Sequence, residues 1–132
     1  MKTPNYKNSQ AKFLSLKTPK LEAVPNHYAD RDYAVNIEYP EFTCVCPKTG
    51  LPDFATIYIE YVPDQKIVEL KSLKYYFIAF RNAGIFHENV ANRVLDDLVK
   101  ACQPRRAKVV ADFSVRGGVH TTVTAEYPQL SS

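Results

Sequence analysis

The sequence predicts a single α+β domain built on an antiparallel sheet, with two helices packed on one of its faces. Strand-like segments occur in hairpin-like pairs on either side of two consecutive helical segments, in the order βββααββ. The length of 132 residues and the hydrophobic content of 45% are those of one globular domain. Because so short a chain buries a limited core, self-association is also expected.

The first part of the chain differs in pattern from the rest. Residues 1–30 show little hydrophobic periodicity and predict an extended N-terminal arm, whereas residues 31–132 predict the folded domain. A strand is predicted over residues 33–39 and is expected to end at Pro40, which lacks a backbone N–H. Residues 42–53 are dense in turn-forming residues and predict a loop.

Residues 54–62 have the clearest strand pattern, because apolar and polar side chains alternate. One predicted face carries Ala55, Ile57, Ile59 and Tyr61, and the other carries Thr56, Tyr58 and Glu60. A hairpin turn at Pro63 and Asp64 is predicted to lead into a return strand over residues 67–71.

Two helices are predicted next. The first is expected to begin near Ser72, a suitable N-cap residue, and to end at Gly84. The second follows from an apolar stripe with a spacing of four residues, and Pro104 ends it. The stripe consists of Phe86, Val90, Val94, Leu98 and Cys102. Two strands, over residues 109–115 and 119–125, then close the chain around a turn at Gly117 and Gly118.

Several classes of protein are disfavoured. The four glycines cannot form a GxGxxG or P-loop motif, and the three histidines and three cysteines lack zinc-ligand spacing. A net charge of +3 is too weak to indicate nucleic-acid binding. The longest apolar run, residues 75–80, is far below the roughly 20 residues of a membrane span. We therefore expect a cytoplasmic protein with reduced cysteines, without metal, nucleic-acid or membrane partners.

The loop over residues 42–53 holds the best candidate nucleophile. Cys46 is followed by several turn residues, and Asp53 could return to it across the loop as a proton donor or acceptor. Cys44 lies two residues earlier, and the residues alone do not separate the two thiols. A buried cysteine with a turn aspartate is the competing structural interpretation, favoured on these residues alone. Cys102 fits the apolar stripe and is assigned to the core.

Two further groups of residues carry charge at predicted turns and helix ends. Lys71 and Lys74 lie at the start of the first helix, and Arg116 precedes Gly117; these could meet an anion such as a phosphate. Solvated lysines and an ordinary hairpin turn are the competing interpretation. Glu88 could clamp the N–H groups of a guanine-like ring or serve only as a first-turn carboxylate.

Taken together, four segments resemble the QueF family of NADPH-dependent 7-cyano-7-deazaguanine reductases, in its single-module form. The segments are EFTCVCPKTGLPDFATI at 41–57, ELKSLKYY at 69–76, FRNAGIFHEN at 80–89 and VRGG at 115–118. They occur in the order and spacing of the family. The resemblance implies a tunnelling fold whose subunits join their sheets into rings, with two stacked rings of five and active sites between subunits.

The resemblance also implies roles for individual residues in queuosine biosynthesis. Cys46 would attack the nitrile carbon to form a thioimide, Asp53 would act as general acid/base, and His87 would lie beside the reacting group. Glu88, Glu69 and Leu70, with His87, would contact the substrate. The residues implied for the cofactor NADPH are Lys71, Lys74, Arg116 and Gly117.

Two rival functions remain. A QueF-like amidinotransferase shares the cysteine and aspartate but adds ammonia to the nitrile, and it lacks the Lys-Ser-x-Lys signature present at residues 71–74. A non-catalytic oligomer of the same fold would tolerate the loss of Cys46 or Asp53, and both are present.

Overall fold

The computed structural model describes residues 16–129, which form six strands and two helices. The strands are β1 (Ala23–Pro25), β2 (Val35–Val45), β3 (Pro52–Val62), β4 (Lys66–Val68), β5 (Arg106–Phe113) and β6 (Thr122–Tyr127). The helices are α1 (Leu70–Ile78) and α2 (His87–Cys102). The order is therefore ββββααββ, one strand more than predicted, and the α+β class is confirmed.

The main sheet has four antiparallel strands in the order β2-β3-β5-β6. The predicted alternation in β3 is confirmed, since Ala55, Ile57, Ile59 and Tyr61 are all buried. On the opposite face Phe54 and Tyr58 are exposed. Both helices contribute to the same core as the buried face, so they pack on one side of the sheet.

Strand β2 is longer than predicted because Pro40 does not end it. The register of β2 against β3 shifts between Tyr39 and Phe42, and this bulge accommodates the missing N–H of Pro40. Pairing then resumes and continues to Val45 opposite Pro52. The predicted loop over residues 42–53 is thus shortened to the six residues between Val45 and Pro52.

The predicted return strand was wrong in its partner and its length. Strand β3 is already paired on both edges, by β2 and β5, so β4 cannot join it. Instead β4 pairs with β1, within the segment predicted as an N-terminal arm. Leu21, just before β1, is buried in the core. Residues 1–15 of that arm lie outside the described residues.

The first helix begins two residues earlier and ends six residues earlier than predicted. Its N-cap is Glu69, not Ser72, because the Glu69 carboxylate accepts hydrogen bonds from the amides of Lys71 and Ser72. The hydroxyl of Ser72 instead accepts a hydrogen bond from the amide of Glu22 at 3.0 Å, tying α1 to the chain before β1.

The second helix confirms the predicted stripe: Val90, Val94, Leu98 and Cys102 are all buried. Strand β5 confirms the predicted alternation at Val109, Ala111 and Phe113, but it ends there, and the predicted strand residue Val115 is exposed beyond it. Strand β6 begins at Thr122, three residues later than expected. The turn at Gly117 and Gly118 is present, and both residues have positive φ angles of 58° and 81°, which favour glycine. No helix within residues 16–129 has the length and apolar composition needed to cross a membrane.

Candidate active site

Cys46 lies in the short loop that joins β2 to β3. Its amide donates to the Leu51 carbonyl at 2.9 Å, and its own carbonyl accepts from the Gly50 amide at 2.9 Å. These two bonds close the neck of the loop, and Gly50 makes the turn with a positive φ of 72°. The position of the Cys46 backbone is therefore fixed by the pairing of two core strands.

The structure separates the two thiols, Cys44 and Cys46, that their local sequence pattern left equivalent and that only the family resemblance distinguished. Cys44 is fully buried within β2, where burial and then the charge of Asp53 raise its pKa to about 12. Cys46 lies beyond the end of β2 and is half-buried. Since the thiolate is the nucleophilic form, Cys44 is inert at neutral pH and Cys46 is the candidate.

The surroundings of Cys46 favour its thiolate. Burial raises the pKa of this thiol, but hydrogen bonds from the Thr49 hydroxyl and the amides of Thr49 and Lys48 oppose that effect. The positive charge of Arg116 lowers the pKa further, and the net pKa lies below the ordinary value of a cysteine. Such a thiol is more extensively ionised near neutral pH than a free cysteine.

Asp53 is the second residue of β3 and pairs with Cys44 across the ladder. Its side chain is only 5% exposed, yet both carboxylate oxygens have partners. One oxygen accepts a hydrogen bond from the Arg116 guanidinium, a contact that raises the pKa of Arg116. The other lies 3.2 Å from Nε2 of His87. The buried carboxylate is thus held between a cation and an imidazole.

His87 is the first residue of α2, and two contacts fix its ring. The imidazole stacks on Phe113 with ring centroids 3.7 Å apart and an angle of 2° between the planes. Nε2 lies 3.2 Å from the Asp53 carboxylate, a distance at which a proton on that nitrogen can be shared with the carboxylate. His87 and Asp53 therefore form a pair through which a proton could pass to or from a bound molecule.

The segment before α2 brings this helix to the cysteine. The amide of Val45 donates to the Ala83 carbonyl at 2.9 Å, and the Ile85 amide donates to the Val45 carbonyl at 3.0 Å. Residues 83–85 are thereby attached to the end of β2, next to Cys46. As a result, His87 and Glu88 are placed beside a nucleophile that precedes them by about 40 residues in the chain.

These side chains line one cavity of about 390 Å³, a volume within the range of small-molecule sites. Six of the residues predicted for the site line it, namely Cys46, Asp53, His87, Glu88, Arg116 and Gly117. Among these, Glu88 is exposed at the rim of the cavity. Ile85, Phe86 and Val119 supply apolar walls. The cavity therefore combines a candidate nucleophile, two side chains that could transfer a proton, and surfaces suited to a flat ring.

The remaining predicted site residues lie at the start of α1 and do not line this cavity. The Glu69 carboxylate caps the helix, and Leu70 is 62% exposed. Lys71 is exposed, and Lys74 borders a different cavity, next to Tyr39 and Arg81. Within one chain, the predicted residues thus form two separate groups.

Sequence reasoning missed two residues of the site. Thr49 accepts a hydrogen bond from Arg116 and helps lower the pKa of Cys46, and Phe113 supports the His87 ring. Thr49 could have been predicted from its position in the loop, three residues after Cys46. Phe113 belongs to the buried face of β5, so the sequence pattern predicts a core residue there and does not indicate its contact with His87.

Fold and site together define a class of protein: an α+β enzyme whose cavity holds a candidate cysteine nucleophile beside an aspartate and a histidine. The family model described as "QueF-like protein" matches residues 52–132. The NADPH-dependent 7-cyano-7-deazaguanine reductase of Chlorobaculum tepidum is 63% identical over 107 residues, covering 81% of this chain and 92% of that protein. The chain belongs to the QueF-like protein family, which confirms the resemblance seen in the sequence.

Two further comparisons agree. The reductase of the same name from Chloroherpeton thalassium is 58% identical over 112 residues, covering 85% of this chain and 97% of that protein. A crystal structure of the archaeosine synthase QueF-Like in its apo form superposes with a TM-score of 0.66, covering 87% of this chain and 100% of that one. At 23% identity, this second similarity concerns the fold.

Proposed function

We propose that this protein reduces the nitrile of 7-cyano-7-deazaguanine to an aminomethyl group with NADPH, a step of queuosine biosynthesis. The observation that carries the proposal is Cys46, a half-buried thiol of lowered pKa that shares a cavity with Asp53 and His87. A nitrile carbon is an electrophile that such a thiolate can attack. Two relatives, 63% and 58% identical to this chain, are named as reductases of 7-cyano-7-deazaguanine, which supports this choice of substrate.

The first chemical step in this proposal is covalent. The Cys46 sulfur forms a bond to the nitrile carbon, one bond of the C≡N group breaks, and the nitrogen takes a proton from the Asp53–His87 pair. The product is a thioimide, whose C=N unit accepts hydride more readily than the nitrile does. The distance of 3.2 Å between Asp53 and Nε2 of His87 allows the proton to move between the two residues before it is delivered, and solvent then returns a proton to the pair.

When bound, NADPH supplies one hydride in each of two reductions, so the nitrile, two NADPH and two protons give the amine and two NADP⁺. The chain offers cationic groups suited to its phosphates. Lys71 and Lys74 are exposed at the start of α1, where their ammonium groups could meet a phosphate. Arg116 and Gly117 line the catalytic cavity.

Substrate recognition is assigned to Glu88, with Glu69 and Leu70 contributing from another subunit. Glu88 lies at the cavity rim, where its carboxylate could accept N–H bonds from the deazaguanine ring. Glu69 and Leu70 do not line that cavity, and Leu70 is largely exposed. Joining subunits through the edges of the main sheet, as in two stacked rings of five, would bring the two groups together. Reduced cytoplasmic conditions suit the free thiol of Cys46.

The proposal predicts that the purified protein oxidises NADPH only when 7-cyano-7-deazaguanine is present, with two NADPH consumed per nitrile. The measurement is absorbance of NADPH together with mass spectrometry of the product. A parallel assay with ammonia and no NADPH tests the rival function, because an amidinotransferase would convert the nitrile to an amidine. Nitrile that survives both conditions would leave the non-catalytic oligomer as the better interpretation.

The lysines of α1 provide a separate prediction. The double variant Lys71→Gln and Lys74→Gln is expected to raise the KM for NADPH at least roughly tenfold, since charge-assisted bonds to phosphate are lost. Formation of the thioimide, which needs no cofactor, should be unchanged. Lys100→Gln, an exposed lysine of α2, is the matched control. A KM unchanged in the double variant would remove these lysines from the cofactor site.

A further inference from the structure

We propose that Arg116 is a positioning residue whose guanidinium holds the Asp53 carboxylate in place against His87, in fixed relation to the loop that carries Cys46. This inference deepens the proposed function and rests on it for its catalytic meaning. The family resemblance assigned Arg116 to the cofactor alone. In the structure, however, its guanidinium bonds to side chains of β3 and of the loop between β2 and β3.

The backbone of Arg116 is anchored close to Asp53. The segment that leaves β5 is attached to β3 by the Ser114 amide, which donates to the Phe54 carbonyl at 2.8 Å. Phe54 directly follows Asp53 in the chain. Beyond Ser114, Arg116 and Val119 exchange two backbone hydrogen bonds of 3.1 Å around the two-glycine turn. The Arg116 side chain therefore approaches Asp53 from a backbone that is held on both sides.

The burial of Asp53 gives this contact its importance. The Asp53 side chain is only 5% exposed, and a carboxylate removed from water needs a partner that compensates its charge. His87 lies 3.2 Å from one carboxylate oxygen, but an imidazole is charged only when both of its nitrogens are protonated. The Arg116 guanidinium is always charged, and it bonds to the other oxygen. Arg116 is thus the constant partner, and the second oxygen is left for proton exchange with His87.

The second branch of the guanidinium connects Asp53 to the loop that carries the nucleophile. Nη1 of Arg116 bonds to the Asp53 carboxylate, and Nη2 donates to the Thr49 hydroxyl oxygen at 2.7 Å. Thr49 lies in the loop between β2 and β3, three residues after Cys46. Because a guanidinium is planar and rigid, the two bonds set the orientation of the carboxylate relative to that loop. Arg116 therefore holds the proton-transferring residue in a fixed relation to the nucleophile.

A double-mutant cycle on the melting temperature of the full chain tests the contact without any substrate. Arg116→Gln is expected to lower the melting temperature by about 5 °C or more at neutral pH, because the buried Asp53 charge loses its cation. This value allows for water at the guanidinium, since the Arg116 side chain is 34% exposed. In the Asp53→Asn background the same substitution should lower it by less than about 2 °C, because no charge remains there to compensate. Arg31→Gln is the matched control, since this arginine is 64% exposed.

The same cycle on the rate of thioimide formation, with 7-cyano-7-deazaguanine and no NADPH, tests the catalytic meaning. Arg116→Gln is expected to slow this step about tenfold to a hundredfold, because a misplaced carboxylate delivers its proton poorly. In the Asp53→Asn background the further loss should be less than about threefold. Arg116→Lys, which keeps the charge without the fork, should recover part of the rate. It also repeats the test if the glutamine variant misfolds by circular dichroism.

The inference is overturned if folded Arg116→Gln forms the thioimide at the wild-type rate and only its KM for NADPH rises, because Arg116 would then serve the cofactor alone. It is also overturned if Arg116→Gln causes equal losses with Asp53 and with Asn at that position, since Arg116 would then act without the carboxylate, for example through its charge near Cys46. A wild-type chain that forms no thioimide would contradict the proposed function instead. The melting temperatures would still decide whether Arg116 holds the Asp53 carboxylate.

Discussion

Cys46→Ala is expected to abolish the covalent adduct with 7-cyano-7-deazaguanine and to lower the reductase rate at least about a thousandfold. The adduct is a bond between the Cys46 sulfur and the nitrile carbon, so no thioimide can form without that sulfur. The remaining groups, Asp53 and His87, can donate protons but cannot make the nitrile a better hydride acceptor. Intact-protein mass spectrometry and near-UV absorbance, measured without NADPH, report the adduct directly.

Cys44→Ala is the matched control for this experiment. Its thiol is fully buried and its pKa is raised to about 12, so it should make no contribution to the adduct. Losing one buried heavy atom costs on the order of 1 kcal/mol of stability, which lowers the melting temperature but leaves the chemistry in place. An adduct that persists in Cys46→Ala and disappears in Cys44→Ala would reverse the assignment of the nucleophile.

Asp53→Asn is expected to reduce the reductase rate about a hundredfold or more while leaving the protein folded. The substitution keeps the size of the side chain but removes the charge that Arg116 and His87 both contact. The amide can no longer exchange a proton with His87, so the nitrogen of the thioimide is protonated slowly. Adduct formation should slow as well, because the pair supplies that proton, but the adduct should still accumulate, because Asp53 is not among the groups that lower the pKa of Cys46. Separate assays of adduct formation and NADPH consumption distinguish the two effects.

Asp112→Asn offers a close comparison. Asp112 also pairs with a histidine, His120, at 2.5 Å, but both side chains are exposed and do not line the catalytic cavity. Removing its charge should change the reductase rate less than about threefold, since exposed ion pairs contribute little. If both aspartate variants lost activity equally, a general effect of charge on the protein would explain the loss better than proton transfer at Asp53.

The fold followed from the sequence wherever one face of an element is buried. The alternation in β3 and the four-residue spacing in α2 identified their core residues correctly, because burial selects apolar residues at those intervals. The predictions failed at the ends of elements. Pro40 was read as the end of β2, yet a bulge accommodates it. Ser72 was read as the helix cap, yet the longer side chain of Glu69 reaches the same amides.

The site residues were found one by one, but their arrangement was not. The sequence indicated Cys46, Asp53 and Arg116 separately, and it assigned Arg116 to a phosphate. The structure places the Arg116 guanidinium against Asp53 and Thr49. Arg116 and Asp53 are separated by 63 residues, so no local pattern encodes their contact. The cofactor role of Arg116 stays a prediction, since nothing in the arrangement within one chain tests it.

By itself, the sequence determined the α+β class, the buried faces of the main elements and the family whose motifs carry a cysteine, an aspartate and a His-Glu pair. Only the tertiary structure decided which cysteine can ionise. Cys44 and Cys46 are two residues apart, but one is enclosed by the core and the other faces hydrogen-bond donors and a guanidinium. The physical reason is that a pKa depends on the surroundings of the sulfur, and strand pairing and the docking of residues 83–85 bring those surroundings together from distant parts of the chain.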